Sequence, residues 1–144
     1  MYCTDYFMFR AMVDRAYDMH RHKTMKEFGL SGAEVDILLF LANNPELNTA
    51  TDIVQKRKLS KSHASLAIHS LLEKGLIIGT SEEENHKKIH LHLQENAKKI
   101  TEYGQREQEE FIGNVFGNLS EEEARILDRC ISKMTVSLQE HYGK

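Results

Sequence analysis

The chain has 144 residues, 28% of them charged, one proline and a formal net charge of -3. That length allows one domain with a core of useful size, or such a domain with a helical arm that pairs with another chain. The composition excludes a disordered chain, and two cysteines 127 positions apart, Cys3 and Cys130, exclude both a disulfide framework and a metal-ligand spacing.

Residues from about 4 to 28 read as a helix that is apolar on more than one side. Tyr6, Phe7, Met8, Phe9, Ala11, Met12, Val13, Ala16, Tyr17 and Met19 cannot all face one stripe. A helix of this kind is buried on several sides, and in so short a chain a second copy supplies the extra surface. Phe28-Gly29-Leu30 breaks it. Ser31-Gly32-Ala33-Glu34 then has the capping-box pattern. The helix it opens carries Val35, Leu38, Leu39 and Ala42 on one side and stops at Asn43-Asn44-Pro45.

Thr49-Ala50-Thr51-Asp52 caps a short helix through Lys56, with Ile53 as its main core residue, and Arg57-Lys58 makes a turn. Leu59 to Gly75 follows. Ser60 caps this helix, Gly75 ends it, and Ala64, Ile68 and Leu71 form its core stripe. Lys61, Ser62, Ser65, Leu66 and His69 fall largely on another face, and the first acid is Glu73. Small hydroxyls, imidazoles and a leucine allow close approach to a flat anionic surface. A major groove admits such a helix, and Ser, Lys and His reach phosphates and base edges. Alone, the stretch also reads as an ordinary amphipathic core helix. Its neighbours favour the first reading: two short helices and a tight turn form a helix-turn-helix.

Leu76-Ile77-Ile78 reads as a short strand, Gly79 to Lys88 as a polar loop, and Ile89-His90-Leu91-His92-Leu93 as an alternating strand. A hairpin after a helix-turn-helix is a wing. Its tip is divided: Glu82, Glu83 and Glu84 repel phosphates, whereas His86, Lys87 and Lys88 attract them. The basic half is expected to contact DNA and the acidic half to point away. A long helix from about Glu95 to Phe116 has Ala97, Ile100, Gly104, Phe111, Val115 and Phe116 as its apolar pattern. Gly117-Asn118 ends it. Leu119-Ser120-Glu121-Glu122-Glu123 is a second capping box, and Ile126, Leu127, Cys130, Ile131, Met134 and Leu138 run to the C-terminus.

Charge follows this layout. Thr49 to Gly75 holds Lys56, Arg57, Lys58, Lys61 and Lys74 against Asp52 and Glu73, whereas Glu102 to Glu123 holds seven Glu against Arg106. An acidic chain with a basic middle keeps a local nucleic-acid footprint.

The order of these elements resembles the MarR family of bacterial transcription regulators over nearly the whole chain. Leu30-Ser31, Thr49-Ala50-Thr51-Asp52-Ile53, the series Leu59, Ser62, Ala64, Ser65, Ile68, Leu71, Gly75, Leu76, Ile77, then Ile89 to Leu93 and Leu119 to Glu123 carry the resemblance. It implies a mainly α fold with a small β-wing: a winged helix-turn-helix at 31–93, and dimerisation helices at 1–30 and 94–144. It implies a homodimer on a near-palindromic site of double-stranded DNA, acting as a repressor. It also implies that a small ligand, or a thiol, can change the spacing of the winged domains and release DNA. Lys61, Ser62, His63, Ser65, Leu66 and His69 are then the recognition-helix contacts, and His86, Lys87 and Lys88 the wing contacts. The chain departs from the family at Arg57 and Lys58, where an apolar and a small residue are usual. Asn85 and Lys87 stand where the wing usually has Asp and Arg. Gln94 and Ala97 stand where Thr and Gly are usual.

Other readings are weaker. His90 and His92 share a strand face without a third ligand, and His20 with His22 and His63 with His69 do not converge, so no metal is called for. There is no phosphate-cradling glycine loop and no nucleophile motif, hence no enzyme and no cofactor. Cys3 falls about one turn before the position of a sensing thiol in some relatives, which Tyr6 occupies; Cys130 reads as a small core residue. Phe7, Met12, Tyr17, Phe28, Phe111 and Phe116 line either a ligand cavity or the core. Reduced thiols, no signal peptide and no membrane-spanning run point to the cytoplasm and to no membrane partner. The acidic wing tip also suits a winged-helix interaction module that does not bind DNA.

Overall fold

In the computed structural model, which describes residues 1–57 and 59–143, the hub is α2 (Gly32–Asn43). It follows α1 (Cys3–Phe28) and precedes α3 (Ala50–Arg57), α4 (Lys61–Glu73), β1 (Ile77–Ser81) and β2 (Ile89–Leu93). A 3-10 turn at Glu95–Ala97 leads into α5 (Lys98–Phe116), and α6 (Glu121–Tyr142) closes the described chain. The fold is mainly helical with one two-stranded antiparallel sheet, as the sequence leads one to expect. Lys58, read from the sequence as part of the turn, lies outside the described residues.

Local sequence explains the element ends. The Ser31 side chain accepts from the Glu34 N–H at 3.2 Å, and Glu34 Oε1 accepts from the Ser31 N–H at 3.1 Å. Ser120 and Glu123 repeat this box at the start of α6. Gly29 and Gly75 adopt φ of 63° and 68°, the left-handed conformation that closes α1 and α4. After Gly75, the Leu76 N–H returns to the Leu71 carbonyl and the Gly75 N–H to that of Leu72, so the chain turns sharply into β1.

Every residue of α2 from Glu34 to Leu41 is buried. The sequence places only Val35, Leu38, Leu39 and Ala42 inward. The difference arises because Ile37, Phe40 and Leu41 pack too, and both acids are buried with partners. A helix surrounded on all sides is the central element of a small helical domain. Leu71 and Ile53 are fully buried in the same cluster, with Ala67, Leu76, Ile77, Leu91, Ala97 and Ile100. At 0% exposure, Leu71 is a site where truncation to Ala costs about 2–5 kcal/mol. Ala67 rather than Ile68 completes the core stripe of α4; Ile68 is half-buried. Gly104 lets α5 come close to α2: a Cβ there would lie 2.7 Å from Leu39 Cδ2.

The hairpin is longer than expected. Gly79, Thr80 and Ser81 extend β1, opposite Leu91, His90 and Ile89. Gly79 leaves room for Ile89, whose Cγ2 would lie 2.9 Å from an added Cβ. Leu91 is buried and Leu93 half-buried, but Ile89, nearer the tip, is exposed.

The chain divides into two compact units, Met1–Glu109 and Glu110–Lys144. In the first, the opening three turns of α1 leave Tyr6, Phe7, Met8, Phe9 and Met12 exposed. In the second, no described residue of α6 is buried, and Ile126, Ile131, Met134, Val136 and Leu138 are exposed. Cys130 is exposed with them, on the same stripe of α6, rather than sitting in a core. Among the described residues, no helix is long and apolar enough to cross a membrane.

Candidate nucleic-acid interface

α4 has one face in the core and one in solvent. Ala64, Ala67 and Leu71 hold it inward. Lys61, Ser62, His63, Ser65, Leu66 and His69 are all exposed, as the sequence reading requires of contacts. Leu66 is the telling residue: a leucine 71% exposed on an otherwise well-packed helix gains nothing from folding alone. Ser60 starts the helix by accepting from the His63 N–H at 3.2 Å. His69 Nε2 lies 3.3 Å from Glu73, so an acid at the far end of the face already holds this imidazole.

The far end of α4 is anchored to α2. Glu34 Oε2 accepts from Lys74 Nζ at 2.7 Å and from the Ser70 hydroxyl at 3.1 Å. Burial by itself raises the pKa of Glu34. The bonds from Lys74, Ser31 and Ser70 outweigh it, and the carboxyl titrates below the ordinary range. An ionised, fully bonded carboxylate therefore joins the start of α2 to the end of α4.

His86, Lys87 and Lys88 are exposed in the loop that joins β1 to β2. Asn85 shapes that loop: its side-chain oxygen accepts from the Lys87 N–H at 3.2 Å, and its carbonyl accepts from the Lys88 N–H. A local turn thus stands where the resemblance implies an Asp-Arg pair. At the base, β2 is stitched to the residues before α3. The Leu91 N–H donates to the Asn48 carbonyl at 2.8 Å, and His90 Nδ1 lies 2.6 Å from Asn48 Oδ1. His90 Nε2 lies 2.9 Å from Glu82. One of the three tip acids thereby contacts the strand, and all three are exposed.

The two groups of candidate contacts sit on different elements, and α3 lies between them. A cleft of about 410 Å³ is lined by Ala50, Thr51, Val54 and Gln55 of α3 with Lys61, Ser65 and Ile68 of α4. A second, of about 510 Å³, is lined by Ala50, Thr51 and Asp52 with Asn85, Lys87 and Lys88. Ala50 and Thr51 border both. Exposed Thr51 and Gln55 therefore join the candidate surface, although the sequence reading gave this stretch only a capping role. Their signal was present: polar residues one turn apart, on the side of α3 away from Ile53. Asp52 is the acid on this surface. The Thr49 side-chain hydrogen bond, above all, holds its carboxyl below the usual range, with the charges of Lys88 and His90 acting the same way. The surface as a whole offers lysines, hydroxyls, imidazoles and an exposed leucine on a rigid helix pair, the chemistry of phosphate and base-edge contact.

Residues 28–88 match the MarR family model. No curated protein matches the chain. Among solved structures, a putative MarR family transcriptional regulator from Listeria monocytogenes, complexed with a 26mer DNA, is similar at 23% identity and a TM-score of 0.79, over 90% of this chain and 86% of that one. The S. aureus MepR–DNA complex is similar at 21% identity and a TM-score of 0.76, over 92% and 95% of the two chains. A MarR transcriptional regulator from Methanosarcina mazei Go1 is similar at 15% identity and a TM-score of 0.76, over 97% and 93%. The resemblance read from the sequence holds, and the fold is the winged helix of the MarR regulators.

Proposed function

We propose that this chain is a sequence-specific, double-stranded DNA-binding transcription regulator that acts as a cytoplasmic homodimer and represses from a pseudo-palindromic operator. The observation that carries this reading is the exposed face of α4, basic and polar around Leu66 and free of acids until Glu73. Lys61 and Ser62 contact phosphates, Ser65 and His69 base edges, and Leu66 a thymine methyl. His86, Lys87 and Lys88 follow the adjacent backbone. Similar chains from two bacteria are described as DNA complexes, which supports the reading.

The apolar faces of α1 and α6, each exposed in the single chain, are covered when two copies pair. Residues 1–30 and 94–144 then serve dimerisation, and 31–93 bind DNA. Two-fold symmetry sets the half-sites roughly 34 Å apart, one turn of DNA. A small effector that changes the separation of the winged domains would release the operator.

Selection from a pool of random duplexes tests this. The expected product is a pair of inverted half-sites with centres about one helical turn apart. A pool that enriches no motif, from a protein shown to be dimeric, would favour the interaction-module reading that the acidic wing tip allows.

A further inference from the structure

We infer that Asp36, with Arg21 and Arg57, is the positioning element that sets the recognition helix α4 relative to α1. The inference rests on the DNA-binding reading of α4.

Asp36 lies in α2, and its side chain is 3% exposed. Its Oδ1 accepts from Arg21 Nε and its Oδ2 from Arg21 Nη2, both at 2.9 Å, a two-pronged pairing with α1. Oδ1 also accepts from Arg57 Nη2 at 2.9 Å. Arg57 is the last residue of α3, just before the turn into α4, and its guanidinium lies 5.9 Å from the centre of the Tyr17 ring in α1. One buried carboxylate therefore joins α1, α2 and the end of α3.

Two further features fit a positioning role. Gly32 opens α2 where a Cβ would collide with the Arg21 guanidinium, so the capping box keeps a clearance for this arginine. Arg57 also stands where the resemblance implies an apolar residue, so this chain places a charge-assisted, directional contact at its helix-turn-helix turn. A buried carboxylate cannot lose its partners cheaply, and the planar guanidinium fork fixes direction as well as distance. A tilt of α1 is thus passed to α3 and α4 rather than absorbed by sliding apolar surfaces.

Arg57→Ala isolates this role, because Arg21 still pairs with Asp36 and the fold persists. Spin labels at Asp14→Cys in α1 and Leu66→Cys in α4, with Cys3→Ser and Cys130→Ser, report the distance within one protomer when labelled chain is diluted with unlabelled chain. The unaltered network should give one narrow distance distribution by double electron–electron resonance. Arg57→Ala should broaden it, and Arg57→Lys, which keeps the charge beside Asp36, should restore most of it. On duplexes with two selected half-sites at varied spacing, Arg57→Ala should keep single half-site affinity within about twofold and weaken the spacing preference by about tenfold. An unchanged distance distribution with an unchanged spacing profile overturns the proposal. So does an equal loss on the single half-site, which would make Arg57 a DNA contact. If the unaltered protein binds no duplex, the DNA-binding reading fails by itself, and the distance distribution still decides whether the network positions α4.

Discussion

Lys74 Nζ, at the end of α4, lies 2.7 Å from Oε2 of the buried Glu34, at the start of α2. The same carboxylate caps α2 through Ser31 and accepts from Ser70, so one side chain closes one helix and anchors another. Glu34→Ala should therefore cost about 2 kcal/mol, the value of a charge-assisted bond with a cap, rather than that of a surface ion pair. Chemical denaturation checks this. A loss below about 0.5 kcal/mol would mean that Lys74 and Ser70 rehydrate without penalty.

The same carboxylate gives a pH dependence with a definite sign. The folded state depresses the Glu34 pKa, despite burial, through Lys74, Ser31 and Ser70. Unfolding near this pKa takes up a proton. The stabilisation is complete at neutral pH and fades as acid protonates the folded carboxyl, below the ordinary carboxylate range. Glu34→Gln should flatten the acid limb of a stability–pH curve; an unchanged limb would assign acid sensitivity to other carboxylates.

Lys61→Ala should weaken binding to all duplexes alike and lower the log–log salt slope by about 1. Ser65→Ala and His69→Ala should change sequence preference instead, by about 1–3 kcal/mol for each lost base contact. Titrations on selected and random duplexes separate the two outcomes. Equal loss on both for Ser65→Ala would place that hydroxyl on the backbone.

Lys87→Ala combined with Lys88→Ala should lower the slope by about 2 if both follow phosphates. The negative charge of Asp52 lies on the same surface as Lys88, so Asp52→Asn should raise affinity for random DNA, most clearly at low salt. A wing whose lysines can be removed without effect would not be touching DNA.

Gly104→Ala would press a methyl group against Leu39 and should destabilise the fold by about 1–3 kcal/mol, read as a fall in melting temperature. An unchanged transition would show that Leu39 moves aside.

Much of this was legible because local chemistry fixed it. Ser31, Ser120 and Gly75 announced helix ends, and the alternation at Ile89 to Leu93 announced β2. Every candidate contact named on α4 and the wing is exposed. What was hidden depends on pairing across the chain. Glu34 and Asp36 look like surface acids until Lys74, Arg21 and Arg57 arrive from 40, 15 and 21 residues away. Arg57 looked like a departure at a turn and is a partner of Asp36. Gly79 looked like loop and is strand, because it pairs with Leu91 across the hairpin. Cys130 followed a helical stripe correctly, but periodicity does not say what covers a stripe.

The most direct measurement is salt-dependent binding of the purified protein to the duplex just upstream of its own coding sequence, against a random duplex of equal length. Tight binding to the upstream duplex, steeply weakened by salt and clearly stronger than to random DNA, is the expected result. Failure to bind either duplex at low salt, by a protein that remains folded and dimeric, would contradict the regulator reading.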